Sequence, residues 1–233
     1  MNIPILYEDN HLLVIEKPIN VPVQGDRSGD IDILSALKKD LKRRYQKPGN
    51  VYLGLVHRLD RPVGGVMVFA KTSKAASRLS DQLRKGMIER YYLAIVRGVP
   101  KKKQGTLRHY LYKNRKKNQV YSVDRKHTEA KAASLDYRLL GKISKKSLLT
   151  VRLHTGRSHQ IRVQMAAEGF PLYGDQKYGS QINTHGEQIA LWAHTLELTH
   201  PTTKEKLSFV SKPPRLYPWE LWNDTDQVYQ TYG

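Results

Sequence analysis

The sequence predicts an α+β fold, in which a mostly antiparallel mixed sheet carries a few packed helices. Short apolar runs with strand character outnumber the segments with helical periodicity. Several of these runs follow one another without a helix between them, as antiparallel strands do and parallel strands do not. The length of 233 residues is enough for one large domain or two small ones, each with a buried core.

The first elements are two strands and a helix. The apolar runs Ile3–Tyr7 and Leu12–Glu16 flank a short polar turn and predict two neighbouring strands. Asp30 or Asp32 can cap the helix that follows, and Pro48-Gly49 ends it. Its apolar stripe has helical spacing and consists of Ile33, Leu34, Leu37, Leu41 and Tyr45. Its opposite face is rich in lysine and arginine, which is typical of a solvated surface, and we place no site there.

A charged loop between two apolar runs comes next. Residues 51–59 have a strand-like pattern, Asp60-Arg61-Pro62 interrupts it, and Val66–Ala70 predicts a short buried strand. Thr72 or Ser73 can then cap a second helix that ends at Gly86, with Ala76, Leu79 and Leu83 on one face.

The rest of the chain predicts more strands and one further helix. The helix runs from about His159 to Glu168 and is closed by Gly169. The predicted strands are Tyr91–Arg97, Ala132–Leu140, Leu148–Leu153, Ile189–Leu198 and Leu207–Ser211.

Composition excludes several classes of function. The 40 Lys and Arg residues exceed the 21 Asp and Glu residues, so the net charge of +19 favours a polyanionic partner. The absence of cysteine excludes disulfides, thiolate catalysis and iron–sulfur ligation. Neither thiolates nor an HExxH arrangement accompany any of the nine histidines, and we expect no metal. A mean hydropathy of −0.60 and a first segment without signal-peptide features predict a soluble, cytoplasmic protein.

The segment 101–127 carries the largest local excess of positive charge. It contains ten Lys and Arg residues and one acidic residue, with three tyrosines interspersed. Cations neutralise phosphates and aromatic rings stack on unpaired bases, so this basic insertion or hairpin predicts contact with nucleic acid. A charged hairpin in water is the simpler alternative. The cations that we expect to bind RNA here are Lys113, Arg115, Lys116 and Lys117.

Two further segments could carry chemistry. In the first, an apolar strand leads to Asp60, whose basic neighbours favour its ionised form, so Asp60 is available as a nucleophile or base. A structural ion pair is the more common role of such an aspartate. In the second, residues 153–162 form a glycine-containing turn into a helix, whose N-terminus attracts anions. There Arg162 can point toward a site while Val163 packs inward, although an ordinary capped helix would show the same pattern.

Several ordered blocks resemble the RluA-type family of RNA pseudouridine synthases, from about Ile5 to Pro214. The match begins with ILYEDNHLLVIEKPINVPVQ, which is similar to the entry hairpin of the family. HRLDRPVGGVMVFAKT resembles its aspartate motif, and IERYYLAIVRG resembles its tyrosine-bearing strand. LHTGRSHQIRVQMAAEGFPLYGDQKYG is similar to its arginine-bearing turn and helix, and ALWAHTLELTHPTTKEKLSF to its closing strands.

The resemblance implies a single catalytic domain over residues 1–233 with a central RNA-binding cleft and no separate N-terminal RNA-binding domain. It implies Asp60 as the essential aspartate, Tyr92 as the ring that stacks on the target base, and Arg162 as the partner of the aspartate. The residues expected to grip the RNA around it are His57, Arg58, Arg61, Arg157, His159 and Gln160. In this chain Pro62–Gly65 replaces the Thr-Ser-Gly that is common in the family, and Ser158 replaces a threonine.

The implied reaction isomerises a uridine of rRNA or tRNA to pseudouridine without a cofactor. Whether Asp60 attacks C1′ or removes the C2′ proton stays open, and a monomer is the default expectation. A non-catalytic RNA-binding protein on the same scaffold is one alternative. A hydrolase that releases uracil is another, but such an enzyme normally needs a second carboxylate to activate water.

Overall fold

The computed structural model describes residues 1–26 and 28–222. The described part divides into two compact units, one formed by Met1–Arg90 with Ala193–Lys212, the other by Tyr91–Trp192 with residues 213–222. Residues 27 and 223–233 lie outside the described part, and the single domain expected over residues 1–233 stays a prediction. No helix in the described part is both long enough and apolar enough to span a bilayer.

The secondary structure follows the α+β expectation, with strands outnumbering helices. In chain order the described residues form β1 (Ile5–Glu8), β2 (Leu12–Lys17), α1 (Ile33–Arg44), β3 (Gly54–Leu55), β4 (Gly64–Ala70), α2 (Ser73–Arg84), β5 (Glu89–Arg97), β6 (Gln104–Asn114), β7 (Gln119–Val123), β8 (Lys131–Ile143), β9 (Lys146–Leu153), α3 (Gln160–Ala167), β10 (Leu191–Thr199) and β11 (Lys206–Val210), followed by a 3₁₀ turn at Trp219–Trp222.

The first unit is built on the strand order β1-β2-β4-β10, with β3 added to β4 and β11 to β10. The pairs β1–β2, β2–β4, β3–β4 and β10–β11 are antiparallel. Neighbouring positions such as Val14 and Val68 are paired and fully buried. Both faces of β2 and β4 are therefore covered, which explains why their sequences are continuous apolar runs instead of alternating ones.

The second unit is an antiparallel sheet with the strand order β5-β9-β8-β6-β7. Helix α3 packs on one face of it, where Val163 joins a buried cluster with Leu111, Val120 and Ala133. The prediction that Val163 faces the core is confirmed. The basic segment 101–127 supplies β6 and β7, so much of it belongs to this sheet.

The helix caps follow the predictions closely. Asp32 caps α1 by accepting the amide of Ser35, and Thr72 caps α2 by accepting the amide of Ala75. Gly86 and Gly169 follow the ends of α2 and α3 with φ of 69° and 83°, a conformation that glycine adopts without strain.

Residues 51–59 differ from the expectation, because only Gly54–Leu55 pairs as a strand. The polypeptide beyond Leu55 leaves the sheet and forms the loop that carries Asp60. The buried face of α2 also differs from the prediction. It consists of Ala75, Leu79 and Gln82, whereas the sequence predicted Ala76, Leu79 and Leu83. Gln82 is buried because its side-chain amide both donates to and accepts from the backbone of Thr199.

Candidate active site

Asp60 lies in the loop between β3 and β4, and Lys17 anchors this loop from below. Lys17 is entirely buried at the end of β2. Its Nζ donates to the carbonyl oxygens of Pro18, Arg61 and Val63 at 2.9, 3.0 and 2.7 Å. Three carbonyl acceptors match the three N–H groups of an ammonium. Two of them, Arg61 and Val63, come directly after Asp60 in sequence, so Lys17 fixes the loop backbone that follows the carboxylate.

Lys17 is also an electrostatic partner of Asp60. Burial lowers the pKa of Lys17 to about 7, the negative charge of Asp60 acts in the opposite direction, and Arg61 lowers it further. Asp60 itself is only partly buried. The first unit thus carries the partly buried carboxylate of Asp60 on a loop whose backbone is bound by the buried Lys17.

The Asp60 loop ends in a tight turn, and the backbone after this turn requires a glycine at position 65. The carbonyl of Asp60 accepts the amide of Val63 at 3.0 Å. Two residues later, Gly65 has a φ of 115°, and a Cβ at this position would lie 2.1 Å from the carbonyl oxygen of Ala193. Only glycine fits here, because the strand backbone approaches too closely for a side chain.

His57 supports the loop from the other side. Its Nε2 accepts the amide of Val68 on β4 at 3.3 Å, which requires an unprotonated nitrogen. Burial, together with the positive charge of Arg90, lowers the pKa of His57 to about 3. His57 is therefore neutral at physiological pH, and its contact with RNA stays a prediction.

The two arginines beside Asp60 differ in their surroundings. Arg58 is exposed. Arg61 pairs with Asp30 and Asp26 and also donates to the Ser28 hydroxyl and the Asn20 carbonyl. These contacts tie the Asp60 loop to the four residues Asn20, Asp26, Ser28 and Asp30. Contact of either arginine with RNA stays a prediction.

In the second unit, Arg162 forms a buried ion pair with Asp175. Its Nε and Nη2 donate to Oδ2 and Oδ1 of the carboxylate, each at 2.8 Å. Both residues are almost completely buried. Asp175 also accepts the amides of Lys177 and Tyr178 at 2.9 and 3.1 Å. The guanidinium of Arg162 is therefore held by a carboxylate that is itself fixed to the backbone.

Tyr178 connects this pair to the turn before α3. The Arg162 guanidinium lies 5.2 Å from the centre of the Tyr178 ring. The Tyr178 hydroxyl accepts the amide of Val120 at 2.9 Å and lies 2.6 Å from Nδ1 of His159. His159 is the N-cap residue directly before α3 and has a φ of 51°. The structure thus brings together Arg162, His159 and β7, and the RNA contact of His159 stays a prediction.

Gln160 and Arg157 shape the same turn. The buried Gln160 accepts from the Thr155 hydroxyl at 2.7 Å and the Arg157 amide at 3.0 Å, and donates to the Ser134 carbonyl at 3.0 Å. Arg157 is exposed and donates from Nε to the Ala132 carbonyl at 2.9 Å. The geometry gives Gln160 a structural role in the turn, and the RNA contacts expected of both residues stay untested.

Tyr92 and Tyr91 lie on opposite faces of β5. Tyr92 is 7 % exposed and is paired with Val151 of β9. Tyr91 instead lines a shallow cavity of about 400 Å³ together with Thr106, Asp136 and Arg152. Only one of the adjacent tyrosines can thus face a given site, as the alternation of a strand requires.

The basic hairpin tip lies beside the turn that precedes α3. Arg115, Lys116 and Lys117 are exposed in the turn between β6 and β7. Lys113 donates to the Ser158 hydroxyl at 3.1 Å. The structure therefore brings the predicted RNA-binding lysines next to the His159 turn.

Sequence reasoning missed Lys17 and Asp175. The Lys17-Pro18 pair directly follows a buried strand, and an uncompensated lysine at the end of an apolar run is a usable signal. Asp175 lies in a matched block but has no local pattern that points to Arg162. Asp60 belongs to the first unit, whereas Tyr92 and Arg162 belong to the second.

Comparison with known proteins gives one consistent result. The family model described as RNA pseudouridylate synthase matches residues 11–167. An uncharacterized RNA pseudouridine synthase of Synechocystis sp. is 36 % identical over 218 residues, covering 91 % of this chain and 67 % of that protein. The ribosomal large subunit pseudouridine synthase D of Pseudomonas aeruginosa is 35 % identical, covering 95 % and 71 %. The synthase C of Vibrio vulnificus is 32 % identical, covering 87 % of this chain and 63 % of the relative.

A solved structure gives the same answer for the fold. Human RNA pseudouridylate synthase domain containing 4 superposes with a TM-score of 0.78 at 26 % identity, covering 94 % of this chain and 91 % of that chain. The α+β fold predicted from the sequence is therefore confirmed as that of a pseudouridylate synthase domain.

Proposed function

This chain belongs to the RNA pseudouridylate synthase family and is an isomerase that acts on RNA, and we propose that Asp60, Tyr92 and Arg162 are its catalytic residues. The observation that carries the proposal is the extent of the family match, which runs from residue 11 to 167 and includes all three positions. The anchoring of the Asp60 loop by Lys17 and of Arg162 by Asp175 supports it, because catalytic groups must be held in place before the substrate binds.

In the proposed reaction the N1–C1′ bond of a uridine breaks, the uracil turns, and C5 bonds to C1′. The proton on C5 is lost and N1 gains a proton, so the product is an isomer of the substrate. Asp60 either attacks C1′ or removes the C2′ proton. Arg162 pairs with the carboxylate of Asp60 and holds it in position. Tyr92 stacks on the uracil and keeps it in place while it turns.

The RNA is bound mainly by phosphate contacts. The exposed lysines and arginines of the hairpin tip carry much of the local positive charge, and they lie beside the turn before α3. The target uridine has to leave its stack to reach a carboxylate, so an unpaired or flipped nucleotide is the substrate form. The relatives named for the large ribosomal subunit favour rRNA over tRNA as the target. The enzyme acts in the cytoplasm as a monomer without metal or cofactor.

Release of tritium from RNA labelled at uridine C5 tests the proposal. The wild-type protein releases label as water and keeps the base attached, whereas Asp60→Asn releases none. A uracil hydrolase would free a labelled base, and a pure RNA-binding protein would release nothing, so either result overturns the proposal. Pseudouridine mapping of rRNA and tRNA from a deletion strain, with and without the restored gene, identifies the target. Loss of a tRNA site alone would overturn the choice of rRNA.

A further inference from the structure

Arg90 is a buried cation that lacks a counter-ion in the described part of the chain. It lies on β5 and is 8 % exposed. Its Nε has no hydrogen-bond partner in the structure. Arg90 also forms no ion pair with any described carboxylate, which distinguishes it from Arg162, bound to Asp175, and from Arg97, bound to Glu187.

A buried charge without a partner is unfavourable for folding. Arg90 also acts electrostatically on His57, and this interaction is repulsive because Arg90 opposes protonation of the ring. Among residues 1–26 and 28–222, no carboxylate forms an ion pair with Arg90. An arginine retained in such surroundings is explained if a ligand brings the anion.

The position of Arg90 on its strand connects it to the site. Residues 90 and 92 point to the same face of β5, and their Cα atoms are roughly 7 Å apart. The positive charge of Arg90 lowers the pKa of His57, and His57 lies three residues before Asp60 in the sequence. Within the first unit, Arg90 is thus connected through His57 to the segment that leads to Asp60.

We propose that Arg90 is a substrate-binding residue that holds a phosphate of the RNA at the target nucleotide. This inference rests on the proposed function, because it takes RNA as the substrate. A phosphodiester is ionised at every working pH, and two of its oxygens match the planar donor fork of a guanidinium. Binding brings the missing counter-charge to Arg90 and removes the penalty that the free protein carries.

Two measurements on Arg90→Met separate this role from a structural one. The thermal unfolding midpoint of the free variant stays equal to that of the wild type or rises, since an uncompensated charge is removed. Binding to oligouridylate weakens about tenfold or more, and the slope of log Kd against log salt falls by about 0.7. The matched control is Arg97→Met on the same strand, which lowers the midpoint because Glu187 and Asn183 lose their partner. A lowered midpoint in Arg90→Met with unchanged RNA binding overturns the proposal.

A phosphate scan identifies the contact directly. Oligouridylates with one neutral methylphosphonate at successive positions are compared in the wild type and in Arg90→Gln, a second variant that keeps the polar volume. One position that weakens wild-type binding has no effect in the variant, whereas its neighbours weaken both proteins equally. Equal loss at every position in both proteins overturns the proposal. Tritium release is measured in parallel, so a protein that binds through Arg90 but never isomerises uridine contradicts the proposed function alone.

Discussion

Asp175 binds Arg162 through both carboxylate oxygens, with Oδ2 on Nε and Oδ1 on Nη2 at 2.8 Å each. The two residues are 13 positions apart, one on α3 and one in the loop after it. A bidentate pair fixes the plane of the guanidinium as well as its position. The cation that we propose to act on Asp60 is therefore oriented by a second carboxylate that the sequence alone does not connect to it.

Asp175→Asn should destabilise the protein and slow the reaction. The substitution keeps the shape but removes the carboxylate charge of Asp175 from the buried Arg162, and breaking a buried pair costs about 3–5 kcal/mol. Urea unfolding measures this loss, and single-turnover tritium release measures the effect on rate. In Asp175→Asn/Arg162→Gln the neutral amides should recover part of the stability but none of the activity. A fully active Asp175→Asn protein would show that Arg162 does not depend on this carboxylate.

Lys17→Met should remove the support of the Asp60 loop. Methionine fills the same buried space but leaves the Pro18, Arg61 and Val63 carbonyls without a donor, at about 1–3 kcal/mol for each group that stays unsatisfied. We expect a lower unfolding midpoint and a fall in kcat that exceeds any change in RNA affinity. Lys17→Arg is the control for charge. Arginine keeps the positive charge, but its larger guanidinium does not fit among the three carbonyl oxygens that Lys17 binds. An unchanged kcat in Lys17→Met would exclude a positioning role for the lysine.

Two histidines of the first unit should make stability fall in mild acid. Burial lowers the pKa of His57 to about 3 and that of His194 to about 4. Below pH 6.5 the two histidines are protonated in the unfolded chain but stay neutral in the folded protein. Stability is therefore fully present above pH 6.5 and declines as pH falls toward 4, by up to about 1.4 kcal/mol per pH unit for each histidine.

Urea unfolding between pH 4.5 and 7.5 measures this slope. His57→Gln should flatten it, because glutamine accepts the Val68 amide without titrating. The control is His185→Gln, since His185 is exposed. A slope that is the same in the wild type and His57→Gln would mean that His57 takes up its proton in the folded protein.

The hairpin tip should supply RNA affinity without contributing to the fold. Replacing Lys113, Arg115, Lys116 and Lys117 with glutamine should weaken binding and lower the slope of log Kd against log salt by about 0.7–0.9 for each lost phosphate contact. The unfolding midpoint should stay within about 1 °C per exposed site, because surface changes of this kind are nearly neutral. Fluorescence anisotropy with labelled RNA at several salt concentrations makes the comparison.

A matched set of exposed or half-exposed cations on and after α1 is the control. It removes the same number of charges from the first unit and consists of Lys38, Lys39, Lys42 and Lys47. If this set lowers affinity as much as the hairpin set does, the net charge of the protein matters and the hairpin has no special role.

The sequence was informative where local chemistry decides the structure. Asp32, Thr72 and Gly86 cap their helices as their residue types require, and continuous apolar runs became the buried strands β2 and β4. The resemblance to known synthases identified the family and the residues to examine. Contacts over long sequence separations could not be predicted, since nothing local in Lys17 indicates that it binds a loop more than forty residues away. The 51–59 strand was overpredicted because apolar loop residues next to a core share the strand pattern.

Gly65→Ala should test how far catalysis depends on the turn after Asp60. Gly65 has a φ of 115°, and an added Cβ would meet the Ala193 backbone oxygen at 2.1 Å, so alanine brings both strain and a clash with backbone that cannot rotate away. We expect a loss of about 3 kcal/mol or more from the two effects together. The Val63 amide that binds the Asp60 carbonyl is two residues away from Gly65, so the displacement reaches the Asp60 loop. Tritium release therefore falls even at temperatures where the variant is folded.

Gly86→Ala isolates the effect of backbone strain, because Gly86 has a φ of 69° and nothing lies within 4 Å of the added carbon. It should cost about 1 kcal/mol and leave the rate unchanged. If both variants lose the same stability and keep full activity, the close approach of Gly65 to Ala193 does not hold the Asp60 loop in place.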